Sequence, residues 1–143
     1  MLLKDKTVVI FGGSGAIGRA TALAMAKEGA QIFLAARQAD KLEKAAAEVR
    51  AAGGIVETLQ LDVLDGGQTA AQVANLAGRT GGIDIVVNAT GFLHDQGKTL
   101  AQLSLAEYRQ GFVPFLDAQF TIAKAVVPWM GGEREGVIIT TIP

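Results

Sequence analysis

Apolar residues fall into short runs, separated by stretches whose apolar positions recur at helical spacing. Val8-Val9-Ile10-Phe11 is too short for a helix and rich in β-branched residues, which predicts a buried strand. Ile17, Ala20, Thr21, Leu23, Ala24 and Ala26 then follow a helical pattern that stops at Gly29, a C-cap. Residues 31–35 predict a second strand, and 39–52 an alanine-rich amphipathic helix closed by Gly53-Gly54. Residues 55–61 predict the third strand. Asp65 and Gly66-Gly67 lead into a helix over 68–79, which Thr80-Gly81-Gly82 breaks. Residues 83–87 form the fourth strand, and 92–99 a polar loop. Ser104-x-x-Glu107 is a capping box that opens a long helix reaching about Met130. Pro114 should kink that helix or delay its regular part, and Pro128 marks its end. Residues 136–141 read as a fifth strand.

Strands thus alternate with helices, and every connection is long enough for a right-handed βαβ crossover. A parallel sheet follows, in a doubly wound α/β arrangement of three layers, αβα. The 143 residues are one domain's worth of chain, with no linker or low-complexity tract. Half the residues are hydrophobic, and the 18 glycines fit tight turns between buried strands. A net charge of −1 gives no electrostatic footprint for nucleic acid or an anionic membrane. The absence of cysteine removes disulfides, thiol nucleophiles and thiolate metal ligands, and the single His94 argues against a histidine metal site. MLLKDK is not a signal peptide and no run approaches a membrane span, so the expected location is cytoplasmic.

Candidate chemistry begins at the first strand's end. Gly12, Gly13, Gly15 and Gly18 stand between that strand and a helix of small residues. Strand, glycine turn and helix is the setting of a phosphate site. Side chains in the turn would block a pyrophosphate, while the helix's free N–H groups and dipole favour negative charge. The spelling alone is weak, since Gly13-x-Gly15-x-x-Gly18 and Gly12-x-x-Gly15-x-x-Gly18 both fit; the setting favours a dinucleotide loop over a plain flexible turn. In such a Rossmann unit the second strand ends beside the adenosine ribose. An NAD site usually places an acid there, and an NADP site omits the acid and supplies arginine. Ala36-Arg37 stands at that point, which favours NADP over NAD; the plainer reading makes Arg37 a loop residue. Asn88-Ala89-Thr90-Gly91 follows the fourth strand at the carboxyl edge, where ligands bind in open α/β sheets, although Asn88 also suits a turn.

Taken together, these residues resemble the short-chain dehydrogenase/reductase family along the whole chain. TVVIFGGSGAIGRATALAMAKEGA is similar to its first strand, glycine loop and helix, and LAAR to the second-strand ending of NADP-preferring members. Leu61-Asp62-Val63, VVNATG, AKAVVPWM and GVIITT resemble further segments at the right spacings. The resemblance implies a Rossmann domain binding NADP(H), and hydride transfer between a small-molecule carbonyl and an alcohol. It implies a loop of Gly12, Ser14, Gly15, Ala16, Ile17 and Gly18 at the pyrophosphate, and Arg37 at the 2′-phosphate. Asp62 and Val63 would then hold adenine, with Asn88, Ala89, Thr90 and Gly91 beside the ribose and nicotinamide half. It also implies a homo-oligomer in which the long helix, Leu105 to Met130, packs on a partner's copy; a core role for half its apolar residues is equally natural.

Departures from the family pattern are specific. Phe11 stands for the loop's threonine, Ala16 for its middle glycine and Ala89 for the second asparagine. Phe115 falls where the helix's asparagine is expected, and Ile142 or Pro143 where a serine is expected. The family protonates its carbonyl with a tyrosine whose pKa is lowered by a lysine four residues on. The single tyrosine, Tyr108, is followed at that distance by Phe112, so no catalytic residue is assigned. Three explanations follow. The catalytic pair lies beyond Pro143 in a longer enzyme; or the chain is a non-catalytic nucleotide-binding or interaction member; or another acid acts, with His94 or Asp95 nearest the carboxyl edge.

Overall fold

The computed structural model describes residues 1–92 and 96–142. Its elements run in the order β1 (Thr7–Phe11), α1 (Ala16–Lys27), β2 (Gln31–Ala36), α2 (Ala39–Ala51), β3 (Ile55–Gln60), α3 (Gly66–Thr80), β4 (Ile85–Asn88), α4 (Leu105–Val126) and β5 (Val137–Thr140). Short 3-10 turns lie at Leu100–Gln102 and Val127–Trp129. The strands form one parallel sheet in the order β3-β2-β1-β4-β5. The chain winds outward from β1 through β2 to β3, then returns to the other side of β1 for β4 and β5. This reversal opens a crevice at the carboxyl ends of β1 and β4.

Two apolar layers sandwich the sheet. Val8, Ile10, Ile32 and Leu34 point to the face covered by α1 and α2, packing with Ala22, Leu42, Ala45 and Val49. Val9, Phe11, Phe33 and Val86 point to the other face and meet Val73, Leu76, Ala118 and Ile122 of α3 and α4. Strands covered on both faces read as unbroken apolar runs, which is why β1 lacks polar alternation.

The element boundaries differ from the sequence pattern for identifiable reasons. α3 begins two residues earlier than its apolar pattern, because the Asp65 carboxylate accepts from the Gln68 amide and caps it. β4 starts at Ile85 rather than 83, since the Asp84 carboxylate accepts the Thr7 amide at 2.8 Å. α4 runs unbroken through Pro114 instead of regularising after it, and it forgoes only the bond that residue 114 would donate. It ends at Val126, short of Met130, because Val127-Pro128-Trp129 tightens into a 3-10 turn. β5 begins at Val137, one residue after Gly136. Among the described residues no helix is long and apolar enough to cross a membrane, and no cluster of metal-ligating side chains occurs.

Candidate functional site

The bend after Phe11 is held to β2: the amides of Gly12 and Gly13 both donate to the Ala35 carbonyl, at 2.9 and 3.1 Å. Its glycines have different physical reasons. Gly12 has a φ of +77°, and a Cβ there would lie 2.4 Å from the Ala89 carbonyl oxygen. A Cβ on Gly13 would press on the Leu34 side chain at 2.9 Å, and one on Gly18 would sit 2.3 Å from the Gly12 carbonyl oxygen. Those three let α1, β2 and the β4 exit close around the bend. Gly15 is unlike them. Its φ of −79° suits any residue, and a Cβ would meet a single protein atom, the Gly12 oxygen, at an ordinary 3.5 Å. Neither backbone nor packing requires glycine there; it faces open space.

That space is a cleft of about 680 Å³. Gly12, Ser14 and Gly15 line its floor, with Ala36, Arg37, Gln38 and Lys41 at the β2 exit. Leu61, Asp62, Val63 and Leu64 line it after β3, Ala89, Thr90, Gly91 and Phe92 after β4, and Gln110 and Pro114 from α4. α1 starts at this cleft with no side-chain cap and no acid in its first turn, so its leading N–H groups are left for a ligand. Arg37 is exposed at the cleft and, among the described residues, has no carboxylate partner. Its own carbonyl accepts from the Gln60 side chain at 3.1 Å, fixing the strand's exit. Asp62 is held in a tight turn: its Oδ1 accepts from the Leu64 amide at 3.0 Å, and its amide donates to Gln68.

The remaining sequence candidates sit around the cleft rather than on its wall. Ala16 and Ile17 are exposed in the first turn of α1, and Gly18 is buried beneath the bend. Asn88, 2 % exposed, ends β4. Its Oδ1 accepts from the Thr90 amide and hydroxyl, and its buried Nδ2 has no hydrogen-bond partner. Asn88 thus makes the turn, with its side-chain NH2 left without a partner among the described residues. His94, Asp95 and Pro143 lie outside the described residues. Tyr108 is half-exposed on α4, its ring 4.8 Å from that of Phe112.

The open cradle at Gly15, the uncapped helix start, the Asp62 turn and Arg37, without a carboxylate partner among the described residues, fit a dinucleotide. Periodicity missed Gln38, Lys41 and Gln110. They lie on helices or helix starts, and nothing in an apolar pattern marks which polar residue of a helix overlooks a cleft. Lys41, four residues after Arg37, was the one with a spacing signal.

Known proteins are similar to this chain in sequence and fold. A family model described as short chain dehydrogenase matches residues 6–142. An uncharacterized oxidoreductase of Mycobacterium tuberculosis is 34 % identical over 128 residues, covering 90 % of this chain and 48 % of that protein. A metagenomic short-chain oxidoreductase in complex with NADP superposes with a TM-score of 0.85 at 29 % identity, over 98 % of this chain and 63 % of that one. An NAD+-bound xylitol dehydrogenase superposes with a TM-score of 0.86 at 27 % identity, over 98 % of this chain and 54 % of that one. The chain spans about half the length of the curated relatives it matches. By sequence, sheet order and the crevice at β1 and β4, the chain belongs to the short-chain dehydrogenase/reductase family.

Proposed function

We propose that these residues form the nucleotide-binding half of an NADP(H)-preferring oxidoreductase that interconverts a small-molecule carbonyl and its alcohol. One observation carries the preference. The β2 exit offers no acid that would repel a 2′-phosphate, and Arg37 stands in the cleft with no carboxylate partner among the described residues. The bound nicotinamide would supply or receive the hydride. The chain's own residues bind and orient: the leading N–H groups of α1, beside the open Gly15, hold the diphosphate, Asp62 and Val63 take adenine, and the Ala89–Gly91 strand exit lies along the nicotinamide half.

Proton transfer needs a group outside this set. Tyr108 stacks on Phe112 at the surface of α4 and has no lysine one turn on. These residues are therefore assigned binding and orientation, and the proton-transfer group is left unassigned. α4 supports a second proposal, contact with another copy. Leu105, Tyr108, Phe112, Leu116 and Phe120 form one exposed apolar stripe, while Ala118, Ile122 and Val126 face the core. Cytoplasm is the proposed location.

The test is a calorimetric titration of the protein with NADPH and NADH. Clearly tighter NADPH binding is expected, with most of the preference lost in Arg37→Ala. Equal affinities would remove the NADP assignment, and no binding of either nucleotide would remove the dinucleotide site.

A further inference from the structure

Lys41 is the second cation at this end of the cleft, and among the described residues it has no carboxylate partner. It lies in the first turn of α2, is exposed, and lines the same cleft as Arg37. Helical neighbours stand three and four residues apart. Within α2 Lys41 has Lys44 and Ala45 at those distances, neither of them an acid, while Gln38 is the extended N-cap and Arg37 precedes it, on the same cleft wall. Asp40 is adjacent in sequence and so faces another side of the helix.

The two glutamates farther along α2 pair with arginines: Glu43 with Arg50, and Glu48 with Arg19 of α1. Two like charges at one rim repel and oppose folding, if modestly. They become favourable when a dianion sits between them, because a phosphate oxygen accepts from an ammonium in a charge-assisted bond. The neutral 2′-hydroxyl of an NAD ribose would draw far less from the same pair.

We propose that Lys41 is a specificity-determining residue: its Nζ donates to the 2′-phosphate of NADP(H) together with the Arg37 guanidinium. This rests on the dinucleotide reading of the cleft given above. The division of labour follows from chemistry. Arg37 offers a planar guanidinium fork from a strand exit whose backbone carbonyl is held by Gln60, and Lys41 offers a flexible point charge from the helix.

The test is calorimetric titration of the full chain and of Lys41→Ala, Lys41→Arg, Lys44→Ala and Arg37→Ala with NADPH and with NADH. All three residues are exposed, so the four variants are expected to fold, and circular dichroism checks this. Lys41→Ala should weaken NADPH by about tenfold, the loss of one charge-assisted bond at a wet site, and leave NADH within about twofold. Lys41→Arg should restore most of the NADPH affinity. Lys44→Ala, one turn away and off the cleft wall, should change neither. An unchanged NADPH affinity in Lys41→Ala, with the preference lost in Arg37→Ala, would overturn the proposal and leave the NADP assignment standing. Equal losses for both nucleotides, or an equal effect from Lys44→Ala, would overturn it in favour of general surface potential. A parent protein that binds both nucleotides equally, or neither, would overturn the underlying reading as well.

Discussion

Gly15 and Gly18 are three residues apart in one motif, yet the structure assigns them opposite sensitivities, and the pair Gly15→Ala and Gly18→Ala separates fold from function. At residue 18 the new methyl carbon would lie 2.3 Å from the Gly12 oxygen and 2.9 Å from the Gly13 Cα, both backbone atoms. α1 must move off the bend. Overpacking of that kind costs about 1–3 kcal/mol, at the upper end where backbone has to shift. Alanine's helix propensity returns up to about 1 kcal/mol, leaving a net loss of about 2 kcal/mol. For a chain of this size that lowers Tm by about 6 °C. At residue 15 the methyl meets only the Gly12 oxygen, at 3.5 Å, and the backbone is already extended. The cost is that of alanine for glycine at an N-cap, roughly 0.5–1 kcal/mol, or about 3 °C. The methyl enters the space assigned to the diphosphate, so NADPH affinity should fall at least about tenfold, equivalent to about 1.4 kcal/mol. Thermal melts followed by circular dichroism and NADPH titration at a temperature where both variants are folded give the two readouts. Gly15→Ala binding NADPH as tightly as the parent would refute the placement of the diphosphate at that bend. Gly18→Ala melting with the parent would refute the close contact of α1 with the loop.

Asp84 is buried and accepts from the Thr7 amide at 2.8 Å and from Arg134 at 3.2 Å, so Asp84→Ala should cost about 2–3 kcal/mol in urea unfolding. Arg134→Ala should cost less, since that side chain is partly solvated; the reverse order would contradict the network. The Glu107 carboxylate is paired with Lys98 and accepts from the Ser104 amide at 2.8 Å, which lowers its pKa from 4.5 to about 2. A depressed carboxylate pKa gives stabilisation that is complete above the unfolded value and is lost as pH falls towards about 2. An NMR titration should therefore place the Glu107 midpoint near 2, and a midpoint near 4.5 would show the cap contacts absent. Phe112→Glu with Leu116→Glu, on the exposed stripe of α4, should shift any dimer to monomer in sedimentation velocity without altering the melt by more than about 1 kcal/mol. A dimer that survives both changes would exclude that helix as its contact.

Much of the fold was legible because parallel strands buried on both faces leave unbroken apolar runs, as in Val8 to Phe11, and because Gly29, Gly53 and Gly81 sit in left-handed turns just past helices. The lining of the cleft was legible where backbone sets it. Gly12, Gly15, Arg37 and Asp62 occupy strand ends, and strand ends converge on one crevice in this topology. The same logic does not reach Lys41 or Gln110, whose helices expose polar residues all along one side. Nor does it divide the glycines. Gly12, Gly13 and Gly18 are demanded by neighbours 2.3–2.9 Å from an added Cβ, whereas Gly15 is demanded by none, and only the folded geometry tells them apart.

α4 and β5 show a further limit of pattern reading. α4 is apolar around most of its circumference, so its sequence cannot say which residues are core; the structure gives Ile122 and Val126 to the core and Phe112 and Phe120 to the surface. β5 has the sequence of a strand covered on both faces. Yet Val137, Ile138 and Ile139 are each more than two-fifths exposed, on alternating sides, at the open edge of the sheet. Val127, Trp129 and Phe120 are exposed as well. Long apolar edges are ordinarily blunted by charges, proline or bulges, and residues 137–140 contain none. An apolar run records the environment a segment is built for, and here that environment is only half supplied by the described residues. The nucleotide cleft stands on the other side of this balance: its walls, from the β1 bend to the β3 exit, are backed by side chains buried to near zero exposure, so its geometry depends little on whatever covers β5.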